Sequence, residues 1–167
     1  MVTKDERAQY RDEHIKWLLS KRDDSRVMSA LKRGGVPATE TAALPFLLPE
    51  LGEYRYWTKP ALLHASDFAT FRYLRHVEGR SLGGLLNDLV RAEHISEKSL
   101  ERVMMAVQVS DLTNAHAMWR GKLAMANNNS LPLDWGLLWD LYVNWDNPKY
   151  PDSQRKARRS LLEDYYR

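Results

Sequence analysis

The chain has 167 residues, 44% of them hydrophobic, with six tryptophans and eight tyrosines, which is enough apolar area for a folded core and excludes an intrinsically disordered chain. It contains no cysteine, so disulfides, Cys-ligated zinc or iron–sulfur centres and a thiol nucleophile are excluded together, and a reducing cytoplasm is the expected compartment. The formal net charge is only +3, no stretch reaches the roughly 18 apolar residues of a membrane span, and the charged opening MVTKDERAQYRDEH lacks the apolar region of a secretory signal.

Alternating Val/Ile/Thr runs are nearly absent, whereas caps followed by 3.6-residue periodicity recur, so the fold class is all-α with about nine helices. Thr3 and Glu6 form a capping box that opens a helix to about Lys21, with Tyr10, His14, Trp17 and Leu18 on one face. Asp24 caps a second helix that buries Val27, Ala30 and Leu31, and Gly34-Gly35 is expected to stop it in the left-handed region. Pro37, Pro45 and Pro49 leave room for one short helix near Thr41 to Leu48. Pro60 fits the first turn of a helix running to about Arg75, with Leu62, Leu63, Ser66, Ala69 and Tyr73 buried. Ser81, Ser96, Ser110, Asp134 and Ser153 each precede an apolar-periodic run and read as N-caps of five further helices. Loops are expected at His76 to Arg80 and at Asn127 to Leu133. A lobe boundary near Gly79 gives an N-terminal helical lobe, 1–78, and a C-terminal lobe, 79–167, built as an antiparallel helix bundle.

Reactive constellations do not emerge. The five histidines (His14, His64, His76, His94, His116) are far apart and none has the i, i+4 spacing of a metal site, so no metal and no cofactor are expected. Gly79 to Gly84 (GRSLGG) lacks the spacing and the following Lys-Ser/Thr of a phosphate loop and reads as a tight turn ending in the Ser81 cap, with Gly83 and Gly84 permitting close helix approach. Asp23-Asp24 and Glu163-Asp164 are sequence neighbours that read as solvated surface. Most Met and Trp positions (Met104, Met105, Met118, Trp119, Trp135, Trp139, Trp145) follow helical spacing and read as core. The chain is therefore not expected to be an enzyme.

Cationic clusters remain. Arg155, Lys156, Arg158 and Arg159 fall within five residues, and on a helix Arg155, Arg158 and Arg159 stand at i, i+3 and i+4 on a common face. Guanidinium groups so placed can fork onto successive phosphates and bind a polyanion without reading its sequence. Lys32-Arg33 adds a second pair. The competing reading is a protein adaptor whose exposed aromatic residues dock partner helices while the charges only confer solubility.

Five segments in order carry a resemblance: Leu31-Lys32-Arg33, Gly79-Arg80-Ser81-Leu82-Gly83, Ile95 with Glu97, Leu133-Asp134-Trp135, and Leu161-Leu162-Glu163-Asp164-Tyr165 preceded by basic residues. From about residue 10 to the end, the chain resembles the CasB family, the small subunit of the type I-E CRISPR surveillance complex Cascade. The resemblance implies a non-catalytic, all-helical, two-lobed subunit in the cytoplasm. Two copies would pair head to tail beside the large and backbone subunits, holding guide RNA (crRNA), target DNA and the displaced strand. It implies nucleic-acid contacts at Lys32, Arg33, Lys98, Arg120, Lys122, Arg155, Lys156 and Arg158, to which the basic cluster itself adds Arg159. The chain departs from family members that are more basic between Val103 and Trp119, where it has no Lys or Arg, and that face is discounted. Its connection before Gly79 is also short, leaving little room for a mobile loop.

Overall fold

A computed structural model describes residues 2–167, which form nine α-helices, three 3-10 turns and two two-residue strands among the described residues. The chain divides into two compact units, Met1–Thr70 and Phe71–Arg167.

In the first unit, α1 (Lys4–Ser20) begins as expected: the Glu6 amide donates to Thr3 Oγ1 at 3.1 Å and the Thr3 amide donates to Glu6 Oε2 at 2.6 Å. Asp24 caps α2 (Ser25–Lys32) by accepting from the amides of Arg26 and Val27. The glycines after α2 correct the expectation. Gly34 and Gly35 form a right-handed 3-10 turn, Arg33–Gly35, and their value is the missing Cβ. A Cβ on Gly34 would meet Leu62 Cδ2 at 3.1 Å and Ala43 Cβ at 3.2 Å, and one on Gly35 would meet Ser66 Oγ at 2.5 Å. A further turn (Glu40–Ala42) precedes α3 (Leu44–Leu51), which carries Pro45 in its first turn and continues through Pro49, three residues beyond the expected end.

The turn Arg55–Trp57 leads into α4 (Thr58–Thr70), whose residues from Ala61 to Ala69 are all buried, so the unit is organised around this helix. The helix ends at Thr70, not near Arg75. Tyr73, expected inside, is 63% exposed because the chain has already turned away.

In the second unit, β1 (Arg75–His76), where the expected helix was to meet the expected loop, pairs in parallel with β2 (Pro132–Leu133), which lies in the other segment expected to be a loop. Between them in sequence lie α5 (Leu82–Arg91), α6 (Glu97–Gln108) and α7 (Leu112–Asn128); α8 (Trp135–Trp145) and α9 (Pro151–Tyr165) follow β2. Ser81, Ser96 and Asp134 cap α5, α6 and α8 as expected. Two expected caps are wrong. Asp111, not Ser110, caps α7, while the Ser110 hydroxyl donates back to Ala106 O at 2.8 Å. Pro151, with its φ already helical, starts α9 two residues before Ser153.

The core of this unit is aromatic: Trp119, Trp135, Trp139, Tyr142 and Trp145 are essentially inaccessible, and Trp119 Nε1 donates to Tyr142 Oη at 3.1 Å. Around it α9 packs on α5 and α8, and α6 packs on α7. Gly83 sets the α5–α9 spacing, since a Cβ there would lie 2.5 Å from Leu161 O. Gly84 has no such role; its Cβ would meet only Ser81 Oγ, at 3.5 Å.

Candidate nucleic-acid interface

Helix α9 owes its orientation to alternating burial: Ala157, Leu161 and Tyr165 face the core, leaving Arg155, Lys156 and Arg159 in solvent. The side chains of Arg155 and Arg159, one turn apart, are 75% and 80% exposed. Each has an ion pair within its own helix, Arg155 with Asp152 and Arg159 with Glu163. Exposed pairs of this kind are worth only about 0–1 kcal/mol, so a phosphate can displace the carboxylates at little cost. Lys156 is exposed and borders an open groove of about 340 Å³ lined also by Ser81, Leu137, Ser153, Ser160 and Asp164.

Arg158 does not join that surface. Its side chain is 20% exposed and stacks over the Trp145 ring, with Cζ 4.6 Å from the ring centroid. Nη1 donates to Gln108 O at 2.7 Å, Ser110 O at 2.9 Å and Val107 O at 3.4 Å; Nη2 donates to Trp145 O and Asp146 Oδ1, both at 3.3 Å. These carbonyls lie at the C-terminal ends of α6 and α8, where backbone acceptors lack intrahelical partners and the helix dipole is negative. Asp146 meanwhile accepts the Leu112 amide at 2.6 Å. One guanidinium thus ties α6, α8 and α9 together, and the common cationic face expected for Arg155, Arg158 and Arg159 reduces to Arg155 and Arg159 flanked by Lys156.

The remaining expected residues are dispersed. Lys98 is exposed in the first turn of α6, and one turn later stands Arg102, also exposed, which sequence reasoning missed although its i+4 spacing from Lys98 was visible. Arg120 and Lys122 on α7 are both half-buried and lie on opposite sides of that helix; Arg120 Cζ is 5.9 Å from the Phe71 ring centroid. In the first unit, Lys32 and Arg33 have exposed side chains, while their carbonyls accept from Ser66 Oγ at 2.8 Å and Thr39 Oγ1 at 2.9 Å, so the backbone beneath both cations is fixed. Among the described residues, Lys32, Arg33, Lys98, Arg102, Lys122 and Lys156 make no ion pair, and no three His, Asp or Glu side chains converge as a metal site.

Comparison with known proteins then settles the family. The model of the family described as CRISPR-associated protein Cse2 matches residues 27–166. The chain belongs to the Cse2 family. Its fold agrees with solved relatives: a Cse2-family CRISPR-associated protein from Thermus thermophilus, at 18% identity and TM-score 0.70 over 99% of both chains, and CasB from Thermus thermophilus, at 19% identity and TM-score 0.71, again over 99% of both. A chain of a structure titled CRISPR RNA-guided surveillance complex matches at 20% identity and TM-score 0.71, covering 96% of this chain and 92% of that one. A search of curated proteins finds no match. Among the described residues no helix is long and apolar enough to cross a membrane.

Proposed function

We propose that this Cse2-family chain is the non-catalytic small subunit of an RNA-guided surveillance complex, gripping nucleic-acid backbones through exposed arginines and lysines so that guide RNA, target DNA and the displaced strand stay in place. The observation that carries the reading is the division of labour on α9: Arg158 fixes the helix from inside while Arg155 and Arg159 stand in solvent with Lys156 beside them. Lys98 with Arg102 on α6, Lys122 and Arg120 on α7, and Lys32 with Arg33 in the first unit supply further cations. Binding of this kind is independent of sequence, because base pairing with the guide supplies specificity. The large and backbone subunits and a second copy of the chain are the protein partners in this reading.

The test is binding of the full chain to duplex and single-stranded nucleic acid across salt. Log affinity should fall linearly with log salt, by about 0.9 per phosphate contact on duplex. Arg155→Glu combined with Arg159→Glu should weaken binding on every sequence and leave the circular-dichroism spectrum unchanged. A salt-independent affinity, or full binding by that variant, sinks the reading.

One observation favours the adaptor as a second reading. Met105 on α6 is 65% exposed and Val109, the C-cap of that helix, 89% exposed, continuing the stripe that Lys98 and Arg102 begin. Partner subunits retained at high salt after nuclease treatment, and lost on Val109→Glu, would support it.

A further inference from the structure

The segment that joins α4 to β1 places arginine, tyrosine and histidine together in solvent on a backbone that cannot move freely. Phe71 and Leu74 are buried anchors, whereas Arg72, Tyr73, Arg75 and His76 are all exposed. The Tyr73 amide donates to Asn127 Oδ1 at 2.7 Å, the Arg75 amide to Leu131 O at 3.1 Å and the Val77 amide to Leu133 O at 3.1 Å, so the strip is pinned to the end of α7 and to β2.

The side chains are oriented too. Arg72 Cζ lies 5.9 Å from the Tyr73 ring centroid, a cation–π distance. Arg75 commits only Nε, to Ser130 O at 2.9 Å, and its terminal nitrogens have no protein partner among the described residues. His76 Nδ1 accepts from the Trp135 amide at 3.3 Å, which leaves Nε2 of the exposed ring as its donor toward solvent. The buried carboxylate of Asp134 is spent on the amides of Gly79, Gly136 and Leu137 and offers the strip no counter-ion.

A tyrosine that is 63% exposed, with the Arg72 guanidinium over one face of its ring and Arg75 two residues on along a fixed backbone, matches what single-stranded nucleic acid requires: a face for a base and cations for the adjoining phosphates. Double-stranded nucleic acid keeps its bases stacked on each other and cannot use the ring. We propose that Arg72–His76 is a stacking site for single-stranded nucleic acid, with Tyr73 taking one base, Arg72 and Arg75 the phosphates on either side, and His76 Nε2 a further backbone oxygen. The inference rests on the reading that this chain binds nucleic acid, and it adds a second mode of contact, at residues outside the helix surfaces discussed above.

The experiment is fluorescence anisotropy of the full chain with labelled oligothymidylate and oligouridylate of about twenty nucleotides and with a duplex of the same length. Tyr73→Ala and Tyr73→Leu should each lower single-strand affinity about tenfold, the loss of one stacked base, while changing duplex affinity less than about twofold. Tyr73→Phe, which keeps the ring, should restore the wild-type value. Arg72→Gln should reduce the single-strand salt slope by about 0.7, one phosphate contact. The two oligonucleotide arms report whether DNA or RNA is the preferred strand; binding to either supports the site. Equal losses on duplex and single strand, no loss with Tyr73→Ala, or no recovery with Tyr73→Phe would overturn it while leaving the general binding function intact. A wild-type chain that binds none of the three probes would overturn both.

Discussion

An arginine side chain offers five N–H donors on a planar fork, and Arg158 uses its two terminal nitrogens to reach carbonyls on two helix ends and a carboxylate. Hydrogen bonds to a charged donor contribute about 1.5–3 kcal/mol, and removing this one would leave several part-buried acceptors without a partner. Arg158→Ala should therefore lower stability by about 3 kcal/mol, and Arg158→Lys by nearly as much, because an ammonium cannot span the same acceptors. Arg159→Ala should cost under about 0.5 kcal/mol, since its ion pair with Glu163 is exposed. Urea midpoints at constant m-value measure the difference; comparable effects at the two positions would show that Arg158 is another surface cation. Why the sequence hides this is clear from helix geometry. Spacing at i, i+3 and i+4 tells that Arg155, Arg158 and Arg159 are neighbours on one side of a cylinder. It does not tell that the end of α6, some fifty residues away in the chain, closes over the edge of that side.

At the level of elements, local chemistry was readable and distant chemistry was not. The Thr3–Glu6 box and the Asp24, Ser81, Ser96 and Asp134 caps follow from hydrogen bonds between near neighbours, which a sequence displays directly. Ser110 misled because a better acceptor, Asp111, follows it, and Ser153 because Pro151 had already set the helical φ. The β1–β2 pairing was invisible, as strands of two residues carry no periodicity and the partners lie over fifty positions apart. Glycines divide in the same way. Gly83→Ala should cost about 2–3 kcal/mol, because the new Cβ would meet backbone at Leu161 O and Tyr165 N, and backbone cannot step aside. Gly84→Ala, one residue on, should stabilise by up to about 1 kcal/mol, having only ordinary contact with Ser81 Oγ and less backbone entropy to lose. Thermal unfolding of the two variants compares them, and a harmless Gly83→Ala would mean that α5 and α9 can separate.

For the molecule as a whole, the all-helical class and the cationic character of the C-terminal helix were legible. Which cations face solvent was not, since exposure depends on how elements assemble. The same limit hid which histidines meet: His14 and His64 are buried against each other in the first unit, ring centroids 6.1 Å apart, with Tyr10 and Trp17 stacked beside His14. Burial, reinforced by the His64 charge, lowers the His14 pKa to about 3 from an ordinary 6.5. Above pH 6.5 the ring is neutral whether the chain is folded or not, and it contributes nothing to pH dependence. As pH falls below 6.5 the unfolded chain binds a proton that the folded chain refuses, so stability drops by about 1.4 kcal/mol for each pH unit until the folded ring itself titrates near 3. Between about pH 7 and pH 5 the first unit should thus lose about 2 kcal/mol through His14 alone. His14→Leu, close in size and without a titrating ring, should flatten that part of the profile. Urea titrations of both proteins at several pH values decide the matter: parallel profiles would mean that the folded chain accepts a proton at His14 as readily as water-exposed imidazole does.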